Sequence, residues 1–163
     1  MKLAIVADTH LPRGARRLPE ECMRRLADAD LILHGGDFST VAVLRELERF
    51  APVVGVLGNN DEAGLAELLP ERRVVEVEGA RVGMVHDAGR RAGRNARLLR
   101  LFPDCHAIVY AHSHIAEVTR EGDVWILNPG SPTERRRAPA RSMLQAVVAE
   151  SFPSRPELVT FSS

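Results

Sequence analysis

Five short apolar runs, each ending in residues of metal-ligand type, constrain this 163-residue chain more than any other feature. Continuous apolar runs of this length are typical of strands buried on both faces. In open α/β sheets, ligands bind in the crevice beyond the carboxyl ends of the strands, so the five polar ends are expected at one edge. The sequence therefore predicts an α/β fold with its site at that edge. The runs with their polar ends are residues 2–10, 31–37, 53–61, 82–87 and 107–114.

The first run ends at Asp8 and His10, which are two residues apart. In an extended segment such side chains point to the same side, so a carboxylate oxygen and an imidazole nitrogen can reach one ion. Taken alone, a strand end followed by a turn, in which Asp8 hydrogen-bonds backbone, is the commoner reason for this pattern. Its repetition at the four other runs favours a metal site.

Length and composition indicate one compact domain over residues 1–163. A chain of this size buries about 70% of its unfolded surface. Lys+Arg and Asp+Glu both number 22, so net charge provides no general attraction to nucleic acid or membrane. Aromatic residues make up only 4% and leave little to stack on bases, so nucleic acid is neither indicated nor excluded as a partner. The sequence shows no leader pattern and no apolar span of ~18 residues, which predicts a cytoplasmic protein without a membrane partner. A monomer and a homo-oligomer both stay open.

The order of predicted elements indicates two sheets. Residues 2–69 alternate strand and helix, which favours parallel strands joined by crossovers. Residues 74–85 read as a hairpin, and further strands are predicted at 107–110, 115–119, 124–127, 142–150 and 157–161. These are too many strands for one open sheet. We therefore predict two stacked sheets with helices outside, the first mostly parallel and the second mostly antiparallel. The predicted helices are 19–29, 41–50, 62–69 and 93–101, with Ser39 and Thr40 as candidate N-caps of the second.

Five motifs in order carry a resemblance to a known family. They are Asp8-x-His10, Gly36-Asp37, Gly58-Asn59, His86 and His112-x-His114. Together they resemble the signature of the calcineurin-like metallophosphoesterase superfamily. The small size and the segment Asn128 to Thr133 make the chain similar to the short prokaryotic YfcE-type phosphodiesterases, which are related to the phosphoesterase-like retromer subunit. The resemblance covers nearly the whole chain and implies a four-layer α/β/β/α sandwich of two mixed sheets.

The resemblance also implies a two-metal site, with the chemistry carried through the metals. Carried over by position, it gives one ion to Asp8, His10, Asp37 and His114 and the other to Asp37, Asn59, His86 and His112, with Asp37 bridging. Two ions roughly 3.5–4 Å apart clamp the attacking and leaving oxygens of a phosphoryl displacement. Imidazole and carboxylate ligands suit Mn²⁺, Ni²⁺, Zn²⁺ or Fe. The implied activity is hydrolysis of a small phosphorylated substrate, such as a nucleotide or another phosphodiester, by a hydroxide that bridges the metals.

Two other functions compete with this interpretation. The first is a non-catalytic protein-interaction scaffold on the same fold, as in the retromer relative, but the complete ligand set here favours catalysis. The second is a nucleotide-binding α/β module, which is disfavoured because no glycine-rich phosphate loop follows any strand. Singly, each ligand has an ordinary structural explanation as a turn residue or a helix cap. His34, inside the second run, is expected to pack rather than to bind metal.

One position departs from the superfamily pattern. Asn60 stands where many members have a histidine, and an amide cannot donate a titrating proton. General acid catalysis contributes about 10²–10⁴-fold, so its absence favours esters with good leaving groups. Asp61 and Asp87 are weak candidates to replace it, although Asp87 is expected to point away from His86.

Two further features have both a functional and a structural explanation. Arginines near the metal edge could bind substrate phosphate or form a solvated face. The turn at Asn128 to Thr133 could support the metal ligands, through Asn128 or Ser131, or simply reverse the chain. The arginines form three clusters, namely Arg13, Arg16 and Arg17; Arg90, Arg91, Arg94, Arg97 and Arg100; and Arg135, Arg136 and Arg137.

Overall fold

Ten strands and four helices make up the fold in the computed structural model, which describes residues 1–11 and 17–162. Every predicted helix and strand is present, with ends shifted by up to three residues. In chain order the elements are β1 (Lys2–Val6), α1 (Glu20–Asp28), β2 (Leu31–His34), α2 (Val41–Glu48), β3 (Val53–Gly55), α3 (Ala63–Ala66), β4 (Arg72–Val77), β5 (Ala80–Val85), α4 (Arg94–Leu101), β6 (Ala107–Val109), β7 (Glu117–Glu121), β8 (Val124–Asn128), β9 (Arg141–Val147) and β10 (Glu157–Phe161).

The first sheet has the order β10-β9-β1-β2-β3. Strands β1, β2 and β3 are parallel, as the alternation of strand and helix predicted. Strand β9 returns antiparallel to β1, and β10 pairs with β9 at the edge. The carboxyl ends of the three parallel strands therefore lie on one side of this sheet.

The second sheet has the order β4-β5-β6-β8-β7, and here the prediction of a mostly antiparallel sheet is wrong. Only the edge pairs β4–β5 and β7–β8 are antiparallel, whereas β5, β6 and β8 run parallel. The physical reason is the crossover. Helix α4 carries the chain from the end of β5 back to the start of β6, and such a connection joins parallel neighbours. Both sheets are thus mixed, and each contains three neighbouring parallel strands, which lie at one edge of the first sheet and at the centre of the second.

Three apolar clusters hold four layers together. Side chains such as Leu3, Ile5, Val82 and Val109 fill the space between the two sheets. On the far side of the first sheet, α1 and α2 bury residues that include Leu26 against it. On the far side of the second sheet, α4 packs Leu98 and Phe102 against Ile108 and Ile126. This arrangement confirms the predicted α/β/β/α sandwich.

Local signals fix the start of α2. The side chain of Thr40 accepts a hydrogen bond from the Val43 backbone N–H, so Thr40 is the N-cap. Ser39 lies outside the helix with φ 92° and does not cap it. Within the described ranges, none of the helices is both long and apolar enough to cross a membrane.

Candidate metal centre

The ends of five strands meet at one edge of the sandwich, and all seven predicted ligands follow them there. Asp8 and His10 follow β1, Asp37 follows β2 and Asn59 follows β3. From the second sheet, His86 follows β5, while His112 and His114 follow β6. Backbone hydrogen bonds join neighbouring ends, for example from Asp8 N–H to Gly36 O at 2.9 Å and from Ala111 N–H to His86 O at 2.9 Å.

Five of these seven residues have a left-handed backbone, which non-glycine residues seldom adopt. Each such residue costs about 1–3 kcal/mol and persists only where the surrounding structure enforces it. The expectation that Asp8 and His10 lie in an extended segment is therefore wrong. Their side chains converge because tight turns aim them inward, not because strand side chains alternate. The φ angles are 53° for Asp8, 44° for His10, 64° for Asp37, 77° for His112 and 64° for His114.

A single carboxylate oxygen, Asp8 Oδ1, stands at the centre of three imidazole nitrogens. The Nε2 atoms of His10, His86 and His114 lie 3.7, 3.8 and 3.6 Å from it. Asp37 Oδ2 lies 3.4 Å from His10 Nε2 and 3.3 Å from His86 Nε2. All five side chains are almost fully buried, with at most 3% of each residue exposed.

The spacing of these carboxylate oxygens and imidazole nitrogens suits a shared divalent ion better than direct hydrogen bonds. Within residues 1–11 and 17–162, Asp8 Oδ1 and His10 Nε2 are buried without any hydrogen-bond partner. Two ligand atoms at about 2.0–2.2 Å from one ion, at a tetrahedral angle, lie roughly 3.3–3.6 Å apart. The observed spacings of 3.3–3.8 Å lie at or just above that range.

Two sets of three side chains each bring ligand atoms within 4.8 Å of one another. The first set is Asp8, His10 and His114, and the second is Asp8, Asp37 and His86. Asp8 belongs to both sets, and Asp37, which belongs to the second, also approaches His10 of the first, whereas the resemblance gave the bridging place to Asp37 alone. The imidazoles also fall into two pairs, with ring centroids 5.2 Å apart for His10 and His114 and 5.3 Å apart for His86 and His112.

Asn59 and His112 form the solvent side of the site, because both are exposed. The amide oxygen Asn59 Oδ1 lies 2.9 Å from His86 Nε2 and 3.2 Å from His112 Nδ1. The backbone N–H of His112 donates to Asp8 Oδ2 at 3.1 Å, so the loop after β6 is fastened to the end of β1. The carboxylates of Asp8 and Asp37 are therefore buried at the base of the site, while Asn59 and His112 border its solvent-accessible side.

The pKa shifts show how strongly these groups interact. Burial favours a raised pKa for Asp37, but the hydrogen bond and charge of His86 and the hydrogen bonds from Asn60 outweigh it, so the pKa lies well below its usual range. Burial lowers the pKa of His86, yet Asp37 and Asp8 reverse the balance and raise it above its ordinary value. Asp37 is therefore ionised at neutral pH and can bind a cation.

The position that lacks the superfamily histidine has another use here. Asn60 donates its backbone N–H to Asp37 Oδ1 at 2.8 Å and its side-chain amide to Oδ2 at 3.1 Å. Asp61 accepts backbone N–H groups from Asp37, Ser39 and Gly58, at 3.1, 2.9 and 2.7 Å. Both residues orient the loops that carry Asp37 and Asn59. Asp87 is exposed and accepts the Gly89 N–H, as expected for a side chain that points away from His86.

Support also comes from the far end of the chain. Ser131 Oγ donates to the backbone oxygen of Asp8 at 2.8 Å, and Thr133 Oγ1 donates to that of Thr9 at 2.7 Å. Ser131 thus makes a supporting contact of the kind predicted for this loop, while Thr133, the last residue of the same segment, was not singled out in the sequence. His34 is buried, accepts the Gly36 N–H at 3.1 Å and stacks on Phe38, in agreement with a packing role.

The arginine clusters divide between structural and exposed members. Arg94 donates to the Tyr110 hydroxyl at 2.9 Å, and Arg97 donates to backbone carbonyls of the loop after His86. Arg13 and Arg16 lie outside the described residues. Beside the site, a cleft of about 660 Å³ extends from Ser113 along α4 and β7. The exposed members are Arg17, Arg90, Arg91, Arg100, Arg135, Arg136 and Arg137.

Known proteins share both the sequence pattern and the fold. The model of the calcineurin-like phosphoesterase superfamily domain matches residues 1–151. A probable metallophosphoesterase of Methanothermobacter thermautotrophicus is 36% identical over 138 residues, which are 83% of this chain and 80% of the relative. Vps29 from Entamoeba histolytica, solved in complex with Zn²⁺, has a TM-score of 0.76 at 23% identity and covers 99% of this chain and 100% of its own. An archaeal phosphodiesterase has a TM-score of 0.76 at 19% identity, with coverage of 99% and 100%. The chain belongs to the calcineurin-like phosphoesterase superfamily.

Proposed function

We propose that this protein is a binuclear metal-dependent phosphodiesterase. The observation that carries the proposal is the surroundings of Asp8 Oδ1, a buried oxygen with three imidazole nitrogens 3.6–3.8 Å away. A buried carboxylate oxygen is costly unless a hydrogen bond or a cation satisfies it. A divalent ion shared by these side chains meets that need. The family match and the probable metallophosphoesterase relative support the same chemistry.

Two divalent ions, when bound, would supply a hydroxide nucleophile near neutral pH and positive charge for the phosphoryl oxygens. Asp8, His10 and His114 would hold one ion, together with Asp37. Asp37 would also contribute to the second ion, which Asn59, His86 and His112 would hold. The mixed nitrogen and oxygen donors suit Mn²⁺, Ni²⁺, Zn²⁺ or Fe. Vps29, which shares the fold, was solved with Zn²⁺.

The substrate class follows from the exposed side of the site. Asn59 and His112 are accessible, and the cleft that begins at Ser113 has room for the alcohol part of an ester. A small phosphodiester therefore fits better than a long polymer, because the chain has zero net charge and few aromatic residues. The archaeal phosphodiesterase of the same fold is consistent with diesters.

The leaving group is expected to matter. Asn60 is engaged with both oxygens of Asp37 and has no titrating proton to give. Asp61 is bound to three backbone N–H groups and is turned toward the loops. Neither residue is arranged as a general acid, so esters of acidic alcohols should react fastest.

Hydrolysis of bis-p-nitrophenyl phosphate tests the proposal. Metal-stripped protein, refilled with Mn²⁺ or Ni²⁺, should turn over this diester, and His112→Ala should abolish most of the activity. His106→Ala is the matched control, because His106 lies at the opposite end of β6, where it accepts the Arg81 N–H. Metal binding without turnover of any diester would favour the scaffold function. Absence of stoichiometric metal binding would refute the proposal.

A further inference from the structure

The carboxylate of Glu134 lies beside the rear nitrogen of His114. Glu134 Oε2 is 3.8 Å from His114 Nδ1, while His114 Nε2 faces Asp8 Oδ1 at 3.6 Å. The histidine is 1% exposed. In the part of the chain that the structure describes, its Nδ1 atom is buried and makes no hydrogen bond. The ring is therefore held between two carboxylates, one on the metal side and one behind it.

His86 shows what such a rear contact does. Its Nδ1 atom lies 2.8 Å from the carbonyl oxygen of Gly35. A carbonyl only accepts, so Nδ1 must carry a proton, and Nε2 is the nitrogen that is left to bind an ion. Histidines that bind metals almost always donate their second N–H to a carboxylate, a carbonyl or water. At His114 the described acceptor in the equivalent place is Glu134.

The loop that carries Glu134 is built into the site. The backbone N–H of Glu134 donates to Ser131 Oγ at 3.0 Å, and the same hydroxyl donates to Asp8 O at 2.8 Å. On its outer side, Glu134 Oε1 lies 3.3 Å from Arg136 Nε. The backbone of Glu134 is thus tied to the end of β1, and its carboxylate contacts a guanidinium on the outer side, with only 18% of the side chain exposed.

We propose that Glu134 is a positioning residue for His114. It accepts the Nδ1 proton, fixes the tautomer with a lone pair on Nε2, and so strengthens metal binding at the set of Asp8, His10 and His114. A small rotation of the Glu134 side chain would shorten the distance from Oε2 to His114 Nδ1 from 3.8 Å to about 3 Å, the length of a hydrogen bond. Arg136 holds the carboxylate in place. The proposal rests on the proposed metal centre but concerns only this outer contact.

Five variants separate the effect of the acceptor oxygen from the effects of side-chain shape and of the arginine. Glu134→Gln keeps an acceptor oxygen, whereas Glu134→Met keeps the length and removes it. Arg136→Ala removes the outer anchor. Glu76→Gln is the control, because Glu76 forms a comparable pair with Arg81, at 3.2 Å, on the exposed β4–β5 hairpin. Thermal melts would check that each variant is folded, and Glu134→Ala provides a second variant without the acceptor.

Zn²⁺ affinity, measured by competition with a chromophoric chelator, is the first readout. Loss of such a supporting contact typically weakens metal binding by about 10–100-fold. We expect that loss at one of two sites in Glu134→Met and Glu134→Ala, and a smaller loss in Glu134→Gln and Arg136→Ala. The control should bind both ions as the wild type does. Equal affinity at both sites in the wild type and in Glu134→Met would overturn the inference.

Nitrogen-15 NMR of the imidazoles in the Zn²⁺-loaded protein is the second readout. The Nδ1 proton of His114 should be visible and slow to exchange in the wild type and in Glu134→Gln, but not in Glu134→Met. The same signal in all three proteins would overturn the inference and leave the metal centre standing. A wild-type protein that binds no Zn²⁺ at all would instead refute the proposed function, and this inference with it.

Discussion

Gly58 offers the sharpest structural test of how the metal centre is packed, because the site leaves no room for a side chain there. A Cβ atom at this position would lie 2.1 Å from Asp37 Oδ1 and 2.2 Å from the Asp37 backbone nitrogen. Real Cβ atoms essentially never approach closer than 3.0 Å. The backbone nitrogen cannot rotate away, and it is also held by Asp61 at 3.1 Å. Gly58→Ala must therefore displace either its own loop or Asp37.

The cost can be estimated from that overlap. Overpacking typically destabilises a protein by about 1–3 kcal/mol, and occasionally by more. An overlap near 1 Å with fixed backbone belongs at the upper end, about 3 kcal/mol. For a domain of this size, 1 kcal/mol changes the melting temperature by about 2–4 °C, so we expect a fall of about 6–12 °C. A displacement near 1 Å can also cost about 10²-fold in rate.

Differential scanning calorimetry and metal stoichiometry measure the two consequences of Gly58→Ala. Gly64→Ala is the matched control, because Gly64 lies in α3 and an added Cβ there would meet only the side-chain methyl Val41 Cγ2, at 3.1 Å. Neither glycine has a left-handed φ, and alanine favours the helix by up to about 1 kcal/mol, so the control should melt within about 4 °C of the wild type. If Gly58→Ala melts like the control and still binds two ions, the packing around Asp37 is not as described.

Three further predictions concern the groups around the site. Thr133→Val should leave the buried carbonyl of Thr9 without its hydrogen bond and lower the free energy of unfolding, measured by thermal melting, by about 1–3 kcal/mol. The control Thr119→Val, at an exposed position, should change it by less than about 0.5 kcal/mol, and equal effects would contradict the role of Thr133. Burial, with the Glu117 carboxylate beside it, raises the pKa of Tyr110 to about 12. Because Tyr110 is the single tyrosine, the absorbance of ionised tyrosine in the folded protein should appear near pH 12, and a titration midpoint near pH 10 would refute this. Burial lowers the pKa of His34 to about 3, so between pH 6.5 and 3 the unfolded chain binds a proton that the folded chain does not. As the pH falls through this range, the free energy of unfolding should therefore decrease by about 1.4 kcal/mol per pH unit more in the wild type than in His34→Gln. Equal pH slopes in urea unfolding would contradict this.

Much of the fold could be predicted because periodicity and order suffice for it. The five apolar runs became β1, β2, β3, β5 and β6, and their polar ends meet because parallel strands end at one edge. The parallel pairing of β6 with β8 was missed. Strand β7 lies between them in sequence and takes the sheet edge, and no local pattern specifies which neighbour a strand chooses.

The convergence of the predicted ligands could be expected from the sequence, but their geometry could not. All seven predicted ligands lie at one edge, yet the left-handed turns at Asp8, Asp37 and His112 depend on contacts made after folding. Thr133 contacts Thr9, 124 positions away, and Glu134 contacts His114 from another loop, and no sequence spacing encodes either contact. At Asn60 the sequence indicated only that the general-acid histidine of the family is missing. The structure adds that Asn60 donates two hydrogen bonds to Asp37.

Anomalous diffraction from crystals soaked in Mn²⁺ would test the metal centre most directly. The proposal predicts two peaks roughly 3.5–4 Å apart. One should lie against Asp8, His10 and His114, and the other against Asn59, His86 and His112, with Asp37 in contact with both. Crystals that show no peak among these seven side chains, at Mn²⁺ concentrations that support diester hydrolysis in solution, would contradict the proposal.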